Sequence, residues 1–155
     1  MIAIGNEEAL YLLEFFDRRN LKREIEQLQK KTKCEITSGS TATTHLIENE
    51  LQRYFKNELQ KFITPIHLLG TTFQNSVWEE LKKISFRSTC SYSDIAKKIS
   101  RPTAFRAVAM ANSMNQLAII VPCHRVINSN HTLGGYSAGI MRKQWLLNHE
   151  KALHG

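Results

Sequence analysis

Cysteine, proline and glycine are scarce in this 155-residue chain, which has three, three and seven of them. Cys34, Cys90 and Cys123 are too few and too scattered for a disulfide framework or a four-ligand zinc site. The low glycine and proline content excludes a collagen-like or low-complexity segment. No apolar run approaches the roughly 20 residues that a membrane span needs. Between Met1 and Asp17 there is no basic stretch followed by an apolar one, and Glu7 and Glu8 interrupt it, so no signal peptide is visible. What remains is ordinary globular composition, 42% hydrophobic. The length suits one domain or two small ones sharing a core. The expectation is a reduced, cytoplasmic protein without a metal or cofactor.

Acidic residues are also short, but in one half only. Up to Ile66 the chain carries 10 basic and 10 acidic residues; beyond it stand 11 basic and 4 acidic. All of the net charge of +7 therefore lies in the C-terminal part. This asymmetry fits a neutral packing domain followed by one that meets a polyanion, and equally a solvated basic surface.

Periodicity predicts the elements. Leu10 to Phe16 reads as a strand after the Gly5-Asn6 turn, and Leu21, Ile25 and Leu28 mark an amphipathic helix over 21–31. Cys34 to Thr37 reads as a short strand. Leu46, Leu51, Tyr54 and Phe55 mark a second helix, and Pro65 to Gly70 a linker. Phe73, Val77, Leu81 and Ile84 form a helical stripe capped by Thr71 or Thr72. Ser91 caps a short helix from Tyr92 to Ile99. Ser100-Arg101-Pro102 breaks the chain, and Thr103 caps a further helix to about Asn112. Two short helices across a tight break in the basic half fit a helix-turn-helix, as any helical hairpin does. Leu117 to Val121 reads as a strand, Asn128 to Gly139 as a loop, and Met141 to Glu150 as a final helix. Trp78 and Trp145 read as core.

Pro122-Cys123-His124-Arg125 is the most unusual stretch. A Cys beside a His is either a buried structural thiol or a nucleophile whose proton the imidazole removes. In an extended segment adjacent side chains point to opposite faces, so the second reading needs a turn or a bridging water. An imidazolium also needs a carboxylate to orient it. Outside the Glu79-Glu80 pair only Asp94 and Glu150 are available in this half, and Glu150, ending the last helix, is the better candidate.

Pro122 to Ile127, with Arg106-Ala107-Val108 upstream and Gly134-Gly135-Tyr136 downstream, closely resembles the O6-alkylguanine-DNA alkyltransferases. The likeness extends to Leu13-Glu14-Phe15, Tyr54-Phe55, Gly70-Thr71, Phe73-Gln74, Val77-Trp78, Ser91-Tyr92, Lys143 and Leu146-Leu147. It implies an α+β fold: a small N-terminal antiparallel sheet with helices over residues 1–66, supporting a mostly helical domain over 67–155 with the helix-turn-helix and an active-site loop. It implies irreversible, stoichiometric transfer of an alkyl group from O6 of guanine, and O4 of thymine, to Cys123. Through the resemblance His124 is the water-mediated base and Glu150 its orienting carboxylate. Asn115 braces the turn before the active-site strand, and Tyr92 bonds guanine N3. Arg106 enters the vacated stack, and Tyr136 and Ser137 close over the base. The carbonyls of Cys123 and Val126 accept from its exocyclic amine. The implied partner is double-stranded DNA carrying alkylated guanine, bound through the minor groove with little sequence preference by a monomer. Ser91, Thr103, Arg106, Ala107 and Ala109 are its contacts, and the protein would be associated with the nucleoid if bacterial. The alanines have a plainer reading as good helix formers.

Some positions depart from the family's pattern. The turn before Ser-Tyr usually contains Gly-Glu-Thr and here is Arg87-Ser88-Thr89-Cys90, and Asn112-Ser113-Met114-Asn115-Gln116 replaces Asn-Gly-x-Asn-Pro. Ala138 stands where bacterial members often have glycine. Three rivals remain: a lesion-binding module without transfer, a Cys-His hydrolase and a sequence-specific DNA-binding regulator. Cys123 opposes the first. The second lacks a visible oxyanion loop. The third would show preference for one undamaged sequence.

Overall fold

Leu10, Leu12 and Leu13 are buried and carry the strand expected at this point, β2 (Leu10–Glu14). They do so in a computed structural model that describes residues 1–151. Its antiparallel partner, β1 (Ile2–Gly5), was not anticipated, because four half-buried residues ending in glycine give too short a pattern to read. Helix α1 (Leu21–Thr32) ends at Lys33, which adopts a left-handed conformation. The strand expected at Cys34 to Thr37 does not form. Only Ile36 of the four is even half-buried, so a strand there would have no apolar face to cover. Helix α2 (Ala42–Phe55) begins with a capping box between Thr41 and Thr44 and buries Ile47 and Tyr54. These elements make the first of two units, Met1–Leu69.

The second unit starts at Gly70. Helix α3 (Thr72–Leu81) opens with a capping box between Thr71 and Gln74 and buries Val77, Trp78 and Leu81. The Trp78 indole donates to the Ala111 carbonyl at 2.8 Å, fixing α3 against α5 (Phe105–Ser113). Ser91 caps α4 (Tyr92–Lys98) with Asp94 returning the bond, so Asp94 is engaged at the surface, while Glu150 is the carboxylate bonded to His124. Thr103 does not cap α5. The Ala104 amide bonds back to Arg101, closing a turn over Pro102-Thr103, and Ala104 itself takes the cap position without a side-chain bond.

The run from Leu117 to Val121 is a correction as well. It coils through tight turns, with Val121 N bonded to Leu117 O at 2.9 Å and Ile119 at φ 71°. A run buried on every side has no period, so a strand and a packed turn read alike. The strand comes later: β4 (Val126–Ile127) pairs in parallel with β3 (Cys90–Ser91). Last comes α6 (Ile140–His149), with Glu150 at its C-cap. Trp145 is not core; it is 52% exposed and stacks on His149. Among the described residues no helix is long and apolar enough to cross a membrane.

Candidate active site

Three features of the second unit converge on Cys123. Proline before it and a single 3-10 turn over Cys123–Arg125 break the extended path, so the side chains of successive residues need not alternate. The β3–β4 pairing sets the start of α4, and thus Tyr92, beside this turn. The end of α6 brings Glu150 to it.

The polar centre is almost dry. His124 is fully buried and Glu150 is 1% exposed. His124 Nε2 lies 2.8 Å from Glu150 Oε1. A carboxylate only accepts, so Nε2 carries the hydrogen and Nδ1 keeps its lone pair. That Nδ1 has no hydrogen-bond partner among the described residues. Burial holds the His124 imidazole below its usual pKa against the opposing pull of Glu150, so it is neutral at neutral pH. Burial pushes Glu150 upward, but hydrogen bonds from His124 and Arg125 outweigh it and hold the carboxyl at about 2. Arg125 supplies two of those bonds, from Nε at 2.9 Å and Nη2 at 3.0 Å, and its Nη1 donates to the Ile84 carbonyl at 2.7 Å. The carboxylate thus stays ionised in the interior because a cation and an imidazole both serve it.

Asn115, 2% exposed, spans the coiled turn. Its amide donates to Val121 O at 2.9 Å and accepts from Leu117 N at 3.0 Å, which holds together the two ends of the segment leading to Pro122. Ile119 sits in the left-handed region that β-branched residues avoid, so this turn is strained and held by its surroundings.

On the other side of Cys123 lie Tyr92 and Lys143. Burial raises the Tyr92 phenol, and the Cys123 sulfur adds to the rise. Burial lowers Lys143 to about 8, while Cys123 pulls the other way. Lys143 Nζ donates to Val126 O at 2.5 Å and Gly135 O at 3.1 Å, tying the 134–137 loop to β4. Gly134 has φ 69°, and a Cβ there would approach the Tyr92 hydroxyl to 3.3 Å, so glycine suits both the turn and the neighbour.

A cleft of about 430 Å³ opens above, bordered by Tyr92, Arg106, Ala109, Asn112, Tyr136 and Ser137 among others. It brings together the side chains expected around a base. Ala107 lies instead on an adjoining groove with Phe73, Gln74, Arg106 and Met110. Ser91 is engaged in capping α4, and Thr103 is exposed on the turn before α5. Cys90 is half-buried, its thiol pushed up chiefly by burial.

Sequence reasoning assigns no role to Arg125, Lys143 or Asn112. Lys143 did leave a signal: it stands three and four residues before the buried Leu146 and Leu147, a cation on the apolar stripe of α6. Arg125 left none, since its partner is 25 residues away.

Residues 72–152 match the profile described as 6-O-methylguanine DNA methyltransferase, DNA binding domain. A methylated-DNA–protein-cysteine methyltransferase of Methanosarcina acetivorans is 48% identical over 150 residues, 95% of this chain and 88% of the relative. One from Mycobacterium tuberculosis is 42% identical over 130 residues, 84% of this chain and 78% of its own. Among solved structures, the Mycobacterium tuberculosis OGT in complex with DNA superposes with a TM-score of 0.81 at 37% identity, over 97% of this chain and 85% of that one. The O6-methylguanine-DNA methyltransferase of Pyrococcus kodakaraensis gives 0.69 at 29%, over 96% and 89%. The chain belongs to the methylated-DNA–protein-cysteine methyltransferase family.

Proposed function

We propose that the protein repairs double-stranded DNA by moving an alkyl group from O6 of guanine to the Cys123 sulfur. The observation that carries this reading is the buried Cys123 beside a His124 hydrogen-bonded to Glu150, joined through Asn112, which bonds the Cys123 carbonyl, to a cleft that Arg106 and Tyr136 also border. The target alkyl group is inside the duplex, so the nucleotide must be flipped out before sulfur can reach it. Arg106, exposed on α5, fills the vacated stack. Ala107, Ala109, Ser91 and Thr103 meet the minor-groove backbone with little sequence preference, as a lesion-finding protein requires.

The chemistry balances without a cofactor. The thiol proton passes through a water to His124 Nδ1, and Glu150 orients and stabilises the imidazolium. The thiolate attacks the saturated carbon in line, the C–O6 bond breaks, and its electron pair leaves with the base. Tyr92 donates toward guanine N3 and the Ser137 amide toward the departing oxygen, offsetting the developing charge. Tyr136 covers the base, and the carbonyls of Cys123 and Val126 accept from its amine. Asn115 holds the turn that presents the thiol. The thioether has no easy leaving group, so one protein repairs one base. O4-alkylthymine enters by the same route. The protein acts as a monomer in the cytoplasm, on the nucleoid in a bacterium.

Intact-protein and peptide mass spectrometry after incubation with a duplex bearing one O6-methylguanine tests this. The expected result is one added methylene on Cys123, saturating at one per protein. Tight binding without an adduct would mean a lesion-binding module instead.

A further inference from the structure

Asn112 stands on the last turn of α5 and borders the cleft, yet the transfer chemistry leaves it without a task. It is only 4% exposed. Its Nδ2 donates to the Cys123 carbonyl at 3.3 Å. Because that carbonyl only accepts, the amide's NH2 must face it, and Oδ1 is turned to the other side. Oδ1 is buried and has no hydrogen-bond partner among the described residues. A dry polar atom of this kind is uncommon in a folded protein and is satisfied when a donor arrives.

Resting on the repair reading, we infer that Asn112 Oδ1 accepts from the exocyclic 2-amino group of the flipped guanine and thereby ranks alkylated guanine above O4-alkylthymine. The chemistry of the two bases makes the distinction. In O6-alkylguanine N1 has lost its hydrogen, and the 2-amino group is the only N–H donor the base retains. O4-alkylthymine has lost its N3 hydrogen and has no N–H donor at all. It would enter the cleft with Oδ1 still unsatisfied. A site that holds a buried acceptor for a donor discriminates against the analogue lacking it. The 2-amino group has two hydrogens: the Cys123 and Val126 carbonyls, which already receive Asn112 Nδ2 and Lys143 on one lone pair each, share one of them, and Oδ1 takes the other. Oδ1 is the acceptor still open.

The test is a cycle between one side chain and one substituent. Single-turnover transfer rates are measured for the full-length protein and for Asn112→Leu on duplexes carrying O6-methylguanine, O6-methylhypoxanthine, which lacks the 2-amino group, or O4-methylthymine. The unaltered protein should favour O6-methylguanine over O6-methylhypoxanthine by about tenfold, the worth of one buried hydrogen bond. In Asn112→Leu that ratio should fall by about fivefold, the remainder being what the Cys123 and Val126 carbonyls hold, and O4-methylthymine should gain relative to guanine by a similar factor. A purely structural role would slow all three substrates together and leave the ratios unchanged, which would overturn the inference. The unaltered protein needs no variant to decide: equal rates on the two purines overturn the inference alone. No transfer to any base would sink the repair reading and the inference with it.

Discussion

Glu150 is the carboxylate on which the polar interior of the second unit depends. It accepts from His124 and twice from Arg125, and it is 1% exposed. Removing its charge would leave a nearly buried guanidinium without its counter-ion, a loss of about 3 kcal/mol by analogy with broken buried pairs. Its carboxyl is held at about 2 in the folded protein, below the roughly 4.3 of an unfolded chain. It therefore contributes stability at and above pH 5, and that contribution disappears as pH falls through the interval toward 2. Glu150→Gln is predicted to lose about 3 kcal/mol in urea unfolding at pH 7 and clearly less at pH 3. An equal loss at both values would mean that the carboxyl is not ionised in the fold. The same variant should slow transfer at neutral pH, because His124 would lose the group that orients it.

Among the elements, the legible ones were those whose signals are local. Thr71 and Gln74, or Ser91 and Asp94, announce α3 and α4 within a single turn. The run from Leu117 to Val121 reads as a strand because a largely buried segment has no period, and β1 leaves no signal because its pairing reaches residues five to twelve positions away. The turn before β3 is a middle case. The resemblance marks Arg87 to Cys90 as a turn that usually contains a glycine, and the structure shows where glycine would suit it: φ at Arg87 is 65°. Arg87 is exposed and makes no ion pair among the described residues, so little holds it there but the chain on either side. Arg87→Gly should stabilise the protein by about 0.5–1 kcal/mol, relief of the left-handed strain outweighing the added freedom of the unfolded chain. Urea unfolding at pH 7 measures this. A loss of stability would show that the arginine side chain compensates for its own backbone.

At the scale of the whole molecule, charge is what sequence conveyed most directly, because it needs no folding to count. The net +7 resides entirely beyond Ile66, in the part that matches a DNA-binding domain over 72–152. What counting could not convey is which of those cations face solvent. Arg125 and Lys143 are spent inside, on Glu150 and on two carbonyls. Arg101 and Arg106, with Lys97 and Lys98 on α4, lie at the surface or near it. These four lie on or between the two helices of the helix-turn-helix and are the cations expected to meet phosphate. Binding that releases counterions from about four phosphates weakens roughly a hundredfold between about 50 and 200 mM salt. Cys123→Ser, which cannot accept an alkyl group, should show that dependence by fluorescence anisotropy on undamaged duplexes. It should show it equally on duplexes of unrelated sequence, since phosphate contacts carry no sequence information. A slope near zero would return the basic half to a merely solvated surface. A steep slope confined to one sequence would instead identify a regulator.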